Sequence, residues 1–275
     1  METYTTVQEV NTALSRNEKR FPEIYLKRFT IIIPAYNEEK RISPVLNDIC
    51  HFVSENILHW DVIVAVDGND STYDIARSYA KSYDFIKIDW SNGRSGKGGA
   101  IKRVLPKIEG EFTILMDSDN SIVFSDIVRA LPLLDKNEVV VLSRYSGKNR
   151  IPFLRRFLSR GFNIVVRLMT GLKVSDTQSG YKIFRTELFT TAMQKVTVTN
   201  ASYDVPLLYY IKKMGGRITE TPAEYSHADD GKLNPLSMAM SFFISLVAFR
   251  IRNSPLYSHV PGFLVKLYHR KFKWI

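Results

Sequence analysis

The chain has 275 residues, of which 45% are hydrophobic and 24% charged, a composition typical of a folded protein with one large domain or a domain plus an appendage. Its single cysteine, Cys50, excludes an internal disulfide and a cysteine-rich zinc site. The net charge is +10 and unevenly distributed, because no acidic residue follows Asp230 whereas seven basic residues do. A basic, aromatic tail is typical of contact with an anionic membrane surface or a nucleic acid, and a solvated basic end is the alternative. The first residues contain no apolar run, so we expect no signal peptide.

Strand, loop and helix alternate four times over about 120 residues, which predicts an α/β fold with a parallel sheet flanked by helices. Residues 1–28 precede this region as a polar peripheral helix and linker. The predicted strands cover Phe29–Ile33, which Pro34 ends, then Asp61–Val66, Phe85–Asp89, Phe112–Met116 and Val139–Ser143. The predicted helices cover Ile42–Val53, Thr72–Lys81 and Ala100–Pro106.

Polar and acidic residues follow three of these strands, at Asn37–Glu39, Asp67–Asp70 and Asp117–Asp119. Ligands of open α/β sheets bind beyond the carboxyl ends of the strands, and paired carboxylates suit a hard divalent cation that holds phosphate oxygens. Taken alone, Asp117–Asp119 favours a turn, because Asp and Ser are common turn residues. The repetition at one predicted sheet edge favours a site for metal and phosphate.

A glycine-rich loop, Asn92–Gly99, lies between the third and fourth strands. It matches neither the nucleotide-binding P-loop nor the dinucleotide fingerprint, because its spacing and its place in the chain differ. Free backbone N–H groups at a helix start, with Arg94 and Lys97 beside them, suit an anionic group. The alternative is a tight loop with solvated charges.

Two apolar segments carry basic residues and are unsuited to crossing a membrane. Ile151–Leu172 is interrupted by four arginines, and Met238–Phe249 spans only 12 residues before Arg250. Both patterns favour amphipathic helices at a membrane interface, and packing on the sheet domain is the alternative.

Several segments together resemble family 2 glycosyltransferases of the GT-A fold, and most closely the dolichyl-phosphate glucosyl- and mannosyltransferases. The matching segments, in chain order, are Phe29–Glu39, Arg94–Ala100, Met116–Asp119, Leu142–Tyr145, Asp176–Arg185, Tyr203–Tyr209 and Gly216–Pro222. The second loop departs from the family, since Val66–Asp67 replaces its paired acids and the turn is one residue shorter. The departure bears on the base- and ribose-contacting role of this loop, for which Asp67 is the expected contact.

The resemblance implies transfer of a hexose from a nucleotide-sugar, UDP-glucose first and GDP-mannose second, to a polyprenyl or dolichyl phosphate with inversion at the anomeric carbon. It implies Mg²⁺ or Mn²⁺ on Asp119 and Asp117, and an acceptor phosphate on Arg144 and Arg160. Asp204 or Asp176 is the expected base, with a helix cap or an ion pair as the alternative role of each. The residues expected to bind the donor nucleotide are Pro34, Tyr36, Asn37, Glu38, Asp67, Arg94, Lys97, Asp117 and Ser118.

These expectations give a glycosyltransferase domain over 29–235 and a basic interfacial segment over 236–275, associated peripherally with the cytoplasmic face of a membrane. A family 2 enzyme with a non-lipid acceptor is the nearest alternative, and the missing QxxRW motif argues against a polymerising synthase. A basic nucleic-acid-binding protein leaves the strand-end acids unexplained, so we expect no nucleic acid partner. An inactive sugar-nucleotide sensor is a third possibility. The sequence does not predict an oligomeric state.

Overall fold

The computed structural model describes residues 23–56, 58–145, 149, 153–226 and 235–263, with only the backbone described at 153–159, 235–239 and 255–256. Most of the predicted N-terminal helix and the end of the basic tail lie outside these residues. The described part begins with a short 3-10 helix, Glu23–Leu26.

Seven strands form one sheet in the order β3-β2-β1-β4-β6-β5-β7. All neighbouring pairs are parallel except those of β6, which is antiparallel to β4 and to β5. The predicted mostly parallel α/β sheet is thus confirmed. The strands are β1 Phe29–Tyr36, β2 Trp60–Asp67, β3 Ile86–Ser91, β4 Phe112–Leu115, β5 Val139–Ser143, β6 Lys182–Arg185 and β7 Ile218–Pro222.

Helices cover both faces of the sheet and bury two separate apolar clusters. Alternate strand residues point to opposite faces, so Ile31 and Ile33 enter one cluster and Ile32 the other. The helices are α1 Ile42–Glu55, α2 Thr72–Ser82, α3 Lys97–Val104, α4 Phe124–Ala130, α5 Phe153–Thr170, α6 Thr186–Lys195, α7 Asp204–Lys213 and α8 Pro235–Arg252.

The prediction that Pro34 ends the first strand was wrong, because β1 continues to Tyr36. The carbonyl of Ile32 accepts a bond from Met116, so Ile32 faces β4, and Pro34, two residues later, faces the same side. Since β4 ends at Leu115, the absent N–H of Pro34 removes no bond from the sheet.

Strand β6 was not predicted, and it enters the sheet against the direction of its neighbours. It has only four residues, Lys182–Arg185, too few to show a pattern, and its first residue is a lysine. Its position ties the β1–β4 half of the sheet to β5 and β7.

The two predicted amphipathic segments are helices α5 and α8, and they pack against each other through Phe162 and Phe242, whose ring centroids lie 6.1 Å apart. Within the described ranges, no helix has both the length and the apolar content needed to span a bilayer.

Candidate active site

A cleft of about 240 Å³ opens where β1, β2 and β4 end. Tyr36 and Asp67 pair in register at the ends of β1 and β2, and Asp117 follows β4 closely. The cleft is lined by nine predicted donor or metal residues, namely Pro34, Tyr36, Glu38, Asp67, Arg94, Lys97, Asp117, Ser118 and Asp119. It is also lined by residues that sequence reasoning missed, which are Ala35, Gly96, Ala100, Asn200 and Ala201.

Lys97 and Asp117 form an ion pair across the cleft. Burial alone would raise the pKa of Asp117, but the charge of Lys97 outweighs burial and lowers it. Burial likewise opposes the charge of Lys97, yet Asp117 raises the pKa of that lysine. Both groups therefore stay charged at neutral pH, which places a fixed cation beside a fixed anion on the cleft wall.

Lys97 owes its position to an early helix start. Helix α3 begins at Lys97 and not at the predicted Ala100. Gly98 lies inside this helix, and packing explains why the residue is a glycine. A Cβ there would be 2.9 Å from Cβ of Tyr203 and 3.0 Å from the Val198 carbonyl. Gly98 therefore allows close packing of the helix, whereas the sequence had predicted that it belongs to a loop.

Asp119 is held by its own turn and by the segment before β6. Its Oδ1 accepts the Ser121 N–H at 3.1 Å and the Tyr181 hydroxyl at 3.3 Å, whereas Oδ2 has no hydrogen-bond partner among the described residues. Burial first, and then the charges of the two aspartates, raise the pKa of Tyr181, so its hydroxyl remains a donor.

Gly180, beside Tyr181, lies against the Asp117 carboxylate. A Cβ at Gly180 would come within 2.6 Å of Asp117 Oδ1 and nearer still to the other carboxylate atoms. Glycine is thus required here by space and not by backbone conformation, since its φ is not in the left-handed region. This segment is one of those that resemble the family, but the sequence pattern predicted no role for Gly180 or Tyr181.

Asp204, one predicted base, lies behind the cleft and does not line it. It is buried and accepts a hydrogen bond of 2.6 Å from Lys182, which is itself 1% exposed. Burial lowers the pKa of Lys182 more than Asp204 raises it. The charge of Asp204 also raises the pKa of Lys97, so the buried Asp204–Lys182 pair acts electrostatically on a residue of the cleft wall.

Asp176, the other predicted base, binds Arg144 through both carboxylate oxygens at 2.8 Å and also accepts the Arg144 backbone N–H. Burial disfavours the guanidinium charge, but Asp176 outweighs burial and raises the pKa of Arg144. The structure therefore brings the predicted acceptor clamp Arg144 together with the predicted base Asp176. Neither residue lines the cleft.

A second cavity, of about 320 Å³, lies beside this pair. Helix α5 supplies Arg160, Asn163, Ile164 and Arg167, which share one helix face because they are spaced by three and four residues. Tyr145 and Ser175, the chain neighbours of Arg144 and Asp176, complete the lining. The predicted acceptor residue Arg160 therefore lines this second cavity. Arg167 lines it as well, but the sequence had not predicted it as an acceptor residue.

Polar residues after β1 mostly fix the neighbouring loop. Asn37 has a φ of 55° and its Oδ1 accepts the Asn69 N–H at 3.2 Å, so it does not line the cleft. Glu38 binds Arg41 at 2.7 and 2.9 Å. Burial raises the pKa of Glu38, and the charges of the two cleft aspartates add to that effect.

Arg94 and Tyr36 face each other at the outer edge of the cleft. The guanidinium carbon lies 4.5 Å from the centre of the Tyr36 ring. A cation over an aromatic face is a stabilising contact, and both groups line the cleft. This edge of the cleft thus offers one flat apolar face and one cation.

The carboxylates fit a divalent cation only in part. In the described ranges, no three His, Cys, Asp or Glu side chains come together as a metal-ligating group. Asp119 has one free oxygen at the cleft, Asp117 already binds Lys97, and Glu38 binds Arg41. Two hard oxygen donors suit Mg²⁺ or Mn²⁺ if the remaining ligands come from a bound diphosphate and water.

Exposed apolar side chains lie on α5, which lines the second cavity, and on α8, which packs against α5. Ile164 is 60% and Leu168 81% exposed on α5, and Met240 and Phe243 are exposed on α8. We call these four residues the apolar surface. Leu246 and Phe249 of α8 are buried in the core, so α8 both packs on the sheet domain and contributes to this surface.

Comparisons with known proteins agree with this architecture. Residues 30–191, more than half of the chain, match the model of a family described as glycosyl transferase family 2. The chain is 28% identical over 258 residues to the dolichyl-phosphate beta-glucosyltransferase of Dictyostelium discoideum, covering 87% of this chain and 78% of the relative.

Solved structures show the same fold. Glucosyl-3-phosphoglycerate synthase from Mycobacterium tuberculosis in complex with UDP gives a TM-score of 0.62 at 18% identity, covering 85% of this chain and 86% of that one. A crystal structure of the same enzyme with Mn²⁺, UDP-glucose and phosphoglyceric acid gives 0.57 at 17% identity, covering 83% and 85%. The likeness confirms the predicted GT-A-like fold.

Proposed function

Because the chain belongs to glycosyltransferase family 2, we propose that it transfers glucose from UDP-glucose to a polyprenyl phosphate, with dolichyl phosphate as the first candidate acceptor. The name of the Dictyostelium relative supports glucose as the sugar and dolichyl phosphate as the acceptor. GDP-mannose is the second candidate donor.

The observation that carries this proposal is a cavity lined by two arginines of α5, the helix that also exposes Ile164 and Leu168. Arg160 and Arg167 line that cavity and have no carboxylate within ion-pair distance among the described residues. A phosphate monoester with a long apolar tail needs cations for its head and an apolar surface for its tail. A soluble acceptor needs only the first.

The donor diphosphate suits the cleft. Lys97, in the first turn of α3, and Arg94 would screen its negative charge, and Tyr36 offers a ring face for the base. Mg²⁺ or Mn²⁺ held by Asp119 and Asp117 would neutralise the charge that develops on the departing diphosphate. The Tyr181 hydroxyl and the Ser121 N–H keep Asp119 oriented for that role.

The acceptor phosphate oxygen is already anionic at neutral pH, so positioning matters more than deprotonation. Arg160 and Arg167 would hold the phosphate, and attack from the face opposite the leaving diphosphate would invert the anomeric carbon. Arg144 stays a predicted acceptor contact, although such a role requires it to share its guanidinium with Asp176.

A general base is dispensable in this scheme. Asp204 binds Lys182 and Asp176 binds Arg144, so each predicted base already compensates a buried cation. The catalytic role of either aspartate stays a prediction.

The apolar surface and the basic residues near it support association with an anionic membrane surface. Ile164 and Leu168 lie on the helix that also supplies Arg160 and Arg167, a combination that suits the interface of a bilayer. We propose peripheral association at the cytoplasmic face.

A transfer assay tests the proposal. Purified protein is mixed with Mn²⁺, a short polyprenyl phosphate in vesicles and labelled UDP-glucose or GDP-mannose, and label is followed into the lipid phase. We expect glucose transfer, and we expect Asp119→Ala to abolish it with an unchanged melting temperature.

Other outcomes separate the alternatives. Transfer to phosphoglycerate but not to the lipid would favour a non-lipid acceptor. Absence of any transfer, together with DNA binding that survives Asp119→Ala, would contradict the proposal and favour a nucleic-acid-binding protein.

A further inference from the structure

Arg103, near the end of α3, joins four groups at the carboxyl edge of the sheet. Its Nη1 donates to Asp67 Oδ1 at 2.9 Å and to Ser95 Oγ at 2.6 Å, its Nη2 donates to the Val66 carbonyl at 3.4 Å, and its Nε donates to Asp89. Burial opposes the guanidinium charge, but the two aspartates outweigh burial and raise the pKa of Arg103. Arg103 does not line the cleft.

Through Asp67, this cluster reaches the glycine loop. Asp67 is 3% exposed, and its Oδ2 accepts the Ser95 N–H at 2.6 Å while its Oδ1 accepts the Ser95 hydroxyl at 3.1 Å. Both carboxylate oxygens are therefore engaged by the protein. Asp67 therefore orients Ser95. Because both of its oxygens are already hydrogen-bonded, Asp67 is a poor partner for a ribose hydroxyl.

The opposite side of the loop is equally constrained. Gly96 has a φ of 78°, and a Cβ there would be 2.5 Å from the Thr199 carbonyl. The same carbonyl accepts the Gly99 N–H at 2.9 Å. The loop is thus held between Arg103 and Asp67 on one side and Thr199 on the other, directly before Lys97.

We infer that Arg103 is a positioning residue for the donor, because it fixes Asp67 and Ser95 and thereby the residues that carry Arg94 and Lys97 into the cleft. This inference rests on the proposed function, in which Arg94 and Lys97 bind the donor diphosphate. A loop held in its binding conformation before the ligand arrives avoids the entropy cost of ordering it on binding.

The opposite end of the sheet provides a matched control. Arg28 donates to Asp61 at 3.0 Å and to Glu109, and Lys87 pairs with both acids. In the Arg103 cluster, the arginine likewise binds two acids, Asp67 and Asp89, and Lys107 pairs with Asp89. Asp61 and Asp67 stand near the two ends of β2, so the Arg28 cluster lies far from the cleft.

The test compares Arg103→Met, Arg103→Lys and Arg28→Met. Calorimetry with UDP and Mn²⁺ measures affinity, and hydrogen exchange measures protection of the loop amides from Arg94 to Gly99. Residues that orient the ligands of a site typically contribute about 10- to 100-fold in affinity. We expect Arg103→Met to weaken UDP binding at least about 10-fold by that measure and to speed exchange in the loop. Arg103→Lys should recover part of the affinity, because it restores the charge but not the fork of donors.

Arg28→Met also removes an arginine paired with two acids, but it should change neither UDP affinity, the KM for UDP-glucose nor loop exchange. Equal losses of affinity in Arg28→Met and Arg103→Met would overturn the inference, because the effect would then be one of general stability. Unchanged loop exchange in Arg103→Met would overturn it as well, even for a donor other than UDP-glucose. A wild-type protein that binds no UDP, with faster loop exchange in Arg103→Met, would contradict the proposed donor and leave the positioning role standing.

Discussion

Substitution of Gly180 by alanine adds one methyl group against the carboxylate of Asp117. The farthest atom of that carboxylate, Oδ1, would be 2.6 Å from the new Cβ. Nonbonded carbon contacts are optimal at roughly 3.5 Å, so even Oδ1 must move by about 1 Å, and the nearer Oδ2 must move farther. The backbone of Gly180 does not require glycine, so the fold should persist.

A displacement of about 1 Å at a catalytic group can cost about 100-fold in rate, which corresponds to about 2.7 kcal/mol of activation free energy. The shift would also weaken the pair of Asp117 with Lys97. We therefore expect Gly180→Ala to lower kcat/KM for UDP-glucose about 100-fold with a small change in melting temperature, measured by lipid-phase transfer and thermal unfolding.

Gly161→Ala is the control, because a Cβ at Gly161 would meet nothing within 4 Å. It should retain wild-type transfer. Near wild-type activity of Gly180→Ala would refute the reasoning, since it would mean that the position of Asp117 is unimportant or that the loop yields freely.

Three further predictions concern the second cavity, the ion pair and the membrane surface. Arg160→Ala and Arg167→Ala should each raise the KM for the polyprenyl phosphate about 10-fold, as expected for loss of a charge-assisted contact, without changing UDP affinity in calorimetry. In Lys97→Met, burial should raise the pKa of Asp117 because the lysine that lowers it is gone. The acid limb of the pH profile for Mn²⁺-dependent UDP binding should therefore move to higher pH, and an unmoved limb would contradict the pairing. Deletion of Pro255–Ile275 should weaken sedimentation with anionic liposomes, most clearly at low salt, and unchanged sedimentation would contradict the proposed anchor.

The gathering of the predicted donor residues in one cleft could be foreseen because parallel strands end at one edge of a sheet. That rule alone brings Tyr36, Asp67 and Asp117 together, whatever their separation along the chain. The glycine-rich loop and its two basic residues indicated Arg94 and Lys97, which the structure also places in the cleft.

An ion pair was an expected alternative role for Asp176 and Asp204, but the partners in the ion pairs were beyond prediction because they lie far apart in sequence. Lys97 and Asp117 are 20 residues apart, and Arg144 and Asp176 are 32 apart. No local pattern specifies such pairs, since each depends on how several loops meet. Lys182 illustrates the same difficulty, because a lysine at the start of a buried strand opposes the usual reading of a charged residue as exposed.

The insertion of β6 has a consequence for the order in which the molecule is assembled during synthesis. When β1 to β4 have left the ribosome, the Asp117–Asp119 loop already exists, but Gly180, Tyr181 and Lys182 do not. A nascent chain that stops before residue 180 contains the first four strands and lacks the segment that orients both aspartates. Under the proposed function, the chain therefore becomes able to bind the donor late, once the four-residue strand β6 has taken its place between β4 and β5.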